Sequence, residues 1–235
     1  MKALNNYIVE KLRISKNQKV KHTLFPTNKK ELQEMIEKEI RQNGNHCSLN
    51  HIDVSKITKM DILFFYRPLR KFDGDISQWD VSNVTDMYKM FGSCSYTGEY
   101  GDISDWNVSN VTDMTSMFES SYFNGDISDW DVSNVKGMST MFAYGDFDGD
   151  LSEWDVSNVY DMGGMFYKSK YTGKNGSIGN WDISNVENME SMFKDSNFNG
   201  DISSWTIDGN FCDYHFMFAG CKKLEQKNYP TIYHK

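Results

Sequence analysis

Gly74-Asp75-Ile76-Ser77-Gln78-Trp79-Asp80-Val81-Ser82-Asn83-Val84-Thr85-Asp86-Met87-Tyr88-Lys89-Met90-Phe91 is the stretch whose reading decides the fold. It returns four more times with small edits, and degenerate copies stand on either side of the set. Its tryptophan sets the interval: Trp79, Trp106, Trp130, Trp154, Trp181 and Trp205 are separated by 27, 24, 24, 27 and 24 residues. Repetition at this period marks a stacked-repeat architecture, in which each repeat buries its apolar side only against its neighbours.

Within one repeat, Ile76-x-x-Trp79-x-Val81-x-Asn83 has the spacing of a leucine-rich repeat strand, with tryptophan in the second apolar slot. Alternation along a strand predicts Trp79 and Val81 inward and Gln78, Asp80 and Ser82 outward. Asn83 followed by Asp86 predicts a helix start, and Val84, Met87 and Phe91 then share one helical face. The expected fold is therefore α/β, a leucine-rich-repeat-like solenoid. It has about six to seven rungs of short parallel strand plus short helix, with Gly-rich returns such as Phe123-Asn124-Gly125. Stacking makes columns. Met87, Met114, Met138, Met162 and Met189, with Phe91, Phe118, Phe142, Phe166 and Phe193, are expected in the core. Asn83, Asn110, Asn134, Asn158 and Asn185 are expected to bond turn amides of their own or the adjacent rung.

Residues 1–47 lie outside the repeat. Leu4, Ile8 and Leu12 suggest a short amphipathic helix. A stronger helix is expected from Lys29 to Gln42, opened by a capping box of Asn28 and Glu31 and carrying a stripe of Leu32, Ile36 and Ile40. Asn43-Gly44 stops it. An end rung exposes its core unless covered, so residues 1–47 read as a helical N-terminal cap. The repeats fill 48–224, and 225–235 read as a C-terminal cap and tail.

At Asp80 to Cys94 the sequence resembles the BspA-like leucine-rich repeat surface proteins, a family that includes many mycoplasma lipoproteins. The likeness covers about residues 48–221. It implies a β-solenoid of leucine-rich type with adhesion or protein binding, often at a bacterial surface, and it brings no catalytic residues. Similar short chains without export signals look like phage or prophage products.

Composition narrows the function classes. The formal charge of −8 disfavours nucleic acid, which needs clustered Lys and Arg. No run of about 18 apolar residues is present, so no membrane insertion is expected. The N-terminus shows neither the apolar segment of a secretory signal nor a lipobox, which points to a cytoplasmic or phage-associated location before the classical cell surface. Cys47, Cys94, Cys212 and Cys221 have no metal-binding or disulfide spacing and read as buried thiols. The five histidines lie outside the regular rungs, with no triad or metal spacing, and no phosphate loop is present. The expectation is no enzyme and no cofactor. Asp146-Phe147-Asp148-Gly149-Asp150 alternates oxygen ligands but lacks the glycine and the final glutamate of a calcium loop.

What remains is a non-catalytic scaffold that binds a protein. The outward columns Gln78, Asp105, Asp129, Glu153 and Asp80, Asn107, Asp131, Asp155, Asp182 suggest an acidic docking face, with neighbouring carboxylates one strand spacing apart. The insertions Tyr96-Thr97-Gly98 and Tyr171-Thr172-Gly173 are a second candidate. A structural or assembly component of virion type and a glycan- or host-protein-binding surface adhesin are the alternatives, and a homo-oligomer is left open.

Overall fold

The computed structural model describes residues 21–233. The helix expected around Leu4, Ile8 and Leu12 lies outside them. Lys59, Asp86, Asp113, Gly137, Asp161, Asn188 and Asp213 form one column of parallel bridges, each repeat laid on the next in register.

The rungs are built from turns. Where a helix was expected over 83–91, amides alternate between two tasks. Those of Met87, Lys89, Phe91 and Ser93 donate across to the carbonyls of Asp113, Thr115, Met117 and Glu119 on the next rung, while those of Met90, Gly92 and Cys94 close turns onto the third residue back. A helix would use all of these amides within the rung and leave the rungs unjoined. The turns need left-handed residues, supplied twice per regular rung: Lys89 and Ser93, Ser116 and Ser120, Thr140 and Tyr144, Ser191 and Asp195 all have φ between 50° and 57° or, at Tyr144, 58°. Thr140 is β-branched and strained there. Inter-rung hydrogen bonds from Thr140 N to Gly163 O and from Ser116 N to Ser139 O hold it in place.

The strand expected through Trp79 and Val81 is likewise absent from the regular rungs, because those backbones make no ladder with the neighbouring rung. Side chains tie this part of the stack. Each indole Nε1 donates to a carbonyl of the preceding rung, as Trp106 to Ile76 (3.2 Å), Trp130 to Ile103 (3.1 Å) and Trp154 to Ile127 (3.0 Å). The asparagine column also reaches the preceding rung, but by donating to carbonyls rather than accepting from amides. Asn110 Nδ2 reaches Ser82 O, and Asn134 Nδ2 reaches Ser109 O, both at 2.8 Å. A strand forms at this register only in the last rung, where β1 (Thr206–Asp208) finds a parallel partner in β2 (Thr231–Tyr233).

The core is a set of aromatic columns. Trp79, Trp106 and Trp130 stack at 6.4–6.5 Å. Phe64, Phe91, Phe118, Phe142, Phe166, Phe193 and Phe218 form a second column at 5.3–5.9 Å. At the N-terminal end, α1 (Lys29–Asn43) is capped by Asn28 Oδ1 accepting from Glu31 N. It buries Leu32 and Ile36 in the same core, and Lys29 Nζ bonds Asp61.

Candidate functional site

The outward columns start from local chemistry. Asp80 Oδ1 accepts from both the amide and the hydroxyl of Ser82 (3.1 and 2.6 Å). Asn107 does the same with Ser109, and Asp131 with Ser133. Asp155 and Asp182 take the amides of Ser157 and Ser184. Each is an Asx turn, the side chain standing in for a backbone carbonyl. Two more such turns recur in most rungs, from Asp75 to Ser77 and from Asp86 to Tyr88, with equivalents along the stack. The aspartates that make the chain acidic are therefore first of all turn formers, a role the alternation argument missed. Asp-x-Ser spacing was the available signal.

The column remains accessible. Asp80, Asn107, Asp131, Asp155 and Asp182 are exposed, as are Asp105, Asp129 and Glu153, while Gln78 is half-buried. Hydrogen bonds from the Ser157 and Ser184 hydroxyls, then from their amides, hold Asp155 and Asp182 below the usual carboxylate value of 3.8. A depressed folded pKa stabilises the fold above the unfolded value and is lost as pH falls through the folded one. Urea midpoints are therefore expected to hold down to about pH 5 and to drop progressively below 3.8. Ser157→Ala should make that drop smaller; an unchanged acid limb in this variant would count against the assignment.

Tyr96 and Tyr171 are not surface recognition residues. Both are fully buried, because they occupy the register that phenylalanine holds in other rungs. Phe72, Tyr96, Phe123, Phe147, Tyr171 and Phe198 form a third aromatic column at 6.1–6.4 Å. The extra residues of the longer repeats lie beyond them, around Gly98-Glu99-Tyr100 and Gly173-Lys174-Asn175. Thr97 and Thr172 anchor these loops through the carboxylates of Asp73 and Asp148.

The remaining candidates place as follows. Asp146 pairs with Lys170 at 2.8 Å, Asp148 holds Thr172, and Asp150 Oδ1 accepts from Ser152 N, so these three carboxylates do not converge. Among the described residues no group of three His, Cys, Asp or Glu side chains is placed to hold a metal ion. Cys94 is buried, and burial pushes its thiol up to about 12; Cys212 is pushed up to about 11 for the same reason. No helix among the described residues is long and apolar enough to cross a membrane.

In-register bridges, aromatic columns and copied Asx turns define a stacked-repeat protein. The chain belongs to the family DUF285, described as a Mycoplasma protein of unknown function, whose model matches residues 30–147 and 122–231. No curated protein and no solved structure matches it.

Proposed function

We propose that the chain is a non-catalytic solenoid scaffold of leucine-rich type, capped at its N-terminus by α1, that binds a protein partner through the acidic column face. In this reading it is a BspA-like repeat protein. The observation that carries the binding role is the column Asp80, Asn107, Asp131, Asp155, Asp182, which is exposed along its length on a buried aromatic core. Its Asx turns tie Oδ1 of Asp80, Asp131 and Asp155 to the serine amide two residues on, which fixes these side chains along the stack. A rigid row of carboxylates suits a basic partner surface and loses little side-chain entropy on docking.

Asn107 shows how to test it. Asparagine keeps the turn acceptor and removes the charge, so Asp131→Asn with Asp155→Asn preserves the fold. The double variant should capture less partner from a lysate of the native host, with weaker salt dependence. Undiminished capture would remove this face from consideration.

A second reading, a self-assembling structural component, is favoured by the last rung. Among the described residues no acceptor meets the amides of Phe216, Phe218 and Gly220, whose counterparts elsewhere join the next rung. An open edge of this kind is a template for pairing. High-order assemblies of the purified chain would support that reading over the first.

A further inference from the structure

An open edge favours pairing in general; its polarity decides with what. In the last rung every carbonyl from Tyr214 to Gly220 already accepts a backbone amide. Those of His215, Met217 and Ala219 take the amides of Ser191, Phe193 and Asp195 from the preceding rung. Those of Tyr214, Phe216, Phe218 and Gly220 take the amides of Met217, Ala219, Cys221 and Lys222 within the rung. What remains on the outer edge is a row of donors, the amides of Phe216, Phe218 and Gly220, at every second residue. Left-handed turns at Phe216 (φ 57°) and Gly220 (φ 72°) hold them in that alternation.

This end of the stack is half closed. β2 lies on β1 as the first half of one further rung, and Asn228 O accepts from Ile202 N. Among the described residues no backbone continues into the second half, where the three amides stand. Its rings are uncovered as well. Phe211, Phe216 and Tyr229 are exposed, and Tyr214 and Phe218 are half-buried. A groove of about 380 Å³, lined by Phe211, Cys212, Tyr214 and His215, leads to the first of the amides. At the opposite end α1 buries Leu32 and Ile36 over the core, so the two ends are not alike.

Polarity and shape select the occupant. Two copies meeting tail to tail would set the amides of Phe216 and Phe218 against other donors. Head to tail, the equivalent carbonyls are those of Asp61, Leu63 and Phe65 in the first rung, but α1 lies against this edge through Lys29 Nζ, which bonds Asp61 O. On the other half of that junction, β2 of one copy and the Leu24 segment bridged to Ile52 of the next would both intervene. The two halves then need different separations, and folded copies do not fit. An extended strand presents its own amides between its carbonyls, and this edge offers them no acceptor. A segment in the turn conformation of the rungs presents carbonyls alone, as Thr115, Met117 and Glu119 do to Lys89, Phe91 and Ser93. We propose that a partner protein completes the last rung in trans with such a segment, carrying the repeat pattern Thr-Asp-Met-x-x-Met-Phe. Its carbonyls accept from Phe216, Phe218 and Gly220, and its apolar side chains lie against Tyr214, Phe218 and Tyr229. Recognition of this kind draws affinity from main-chain hydrogen bonds and specificity from alternate side chains. The surface is separate from the acidic column.

The test uses the full chain and a fluorescent peptide copying residues 110–121, Asn-Val-Thr-Asp-Met-Thr-Ser-Met-Phe-Glu-Ser-Ser. Saturable binding, read by anisotropy, is expected. With peptide at about ten times its midpoint concentration, hydrogen exchange at Phe216, Phe218 and Gly220 should slow about tenfold. Backbone esters after the peptide's second threonine and second methionine weaken the carbonyls placed at Phe216 and Phe218. They remove only amides that, in the stack, donate away to the following rung. Affinity should then fall about tenfold. Asp131→Asn with Asp155→Asn should leave binding unchanged, which separates failure here from failure of the acidic face. No binding, equal binding of the ester peptide, or unchanged exchange at the three amides overturns the proposal. So does equal binding of a peptide alternating threonine with valine, or self-association of the chain alone that protects the same amides.

Discussion

Replacing Trp130 with alanine is expected to cost about 3–5 kcal/mol of stability, measured as a lowered urea midpoint. The indole is 3% exposed, stacked on Trp106 at 6.4 Å and against Phe118 at 6.4 Å. Its Nε1 is the donor to Ile103 O. Truncation thus removes a large buried surface and leaves a carbonyl of the preceding rung without that donor. Because each rung touches only its neighbours, the loss weakens two interfaces at mid-stack, and the transition should broaden as the halves begin to melt separately. Trp130→Phe keeps most of the surface and isolates the hydrogen bond, at about 1–3 kcal/mol. Tyr122→Ala, on an exposed ring, should stay within about 0.5 kcal/mol of the parent. If Trp130→Ala did the same, the inward tryptophan column would be wrong.

The tryptophan column shows where sequence reasoning reached and where it stopped. A residue repeated at 24 or 27 positions with apolar neighbours two and three away must face a shared interior, and the inward indoles follow from that alone. The backbone conformation does not. Val81, Val84, Met87, Met90 and Cys94 are all buried, at intervals of about three residues, and both a helix and a run of tight turns satisfy that spacing. The decision falls to where the amides of Met87, Lys89 and Phe91 bond, which is a property of the neighbouring rung and not of the segment itself. A β-branched Thr140 in the left-handed region is legible only afterwards, since nothing local favours it.

The candidate faces divide in the same way. Exposure of Asp131 and Asp155 followed from alternation, but their bonds to Ser133 and Ser157 recast the acidic charge as a by-product of turn building. This is why the charge-neutral Asn107 fits the column unchanged, and why a docking role for it needs the Asp→Asn comparison. Departures from the repeat at Gly137, which stands for aspartate, and at Gly163-Gly164 after Met162 are plain in the sequence, but what they face depends on consecutive copies lying side by side.

Tyr96 and Tyr171 give the sharpest contrast between equal residues. Each is a tyrosine in a phenylalanine column, and each occurs only where the repeat carries three extra residues. Tyr96 Oη donates to Gly101 O at 2.5 Å, within the inserted loop. Tyr171 Oη is buried with no hydrogen-bond partner among the described residues. A made hydrogen bond between buried groups contributes modestly, but a buried hydroxyl without one pays its full desolvation. Tyr96→Phe is therefore expected to destabilise by about 1–3 kcal/mol, with Gly101 O losing that donor. Tyr171→Phe removes an unsatisfied group while keeping the stack on Phe147 and Phe198, and should leave stability unchanged or raise it by about 1 kcal/mol. Urea melts of the two variants decide the matter by sign. Equal losses in both would mean that the hydroxyl of Tyr171 is bonded in solution, and that both loops close over their tyrosines in the same way.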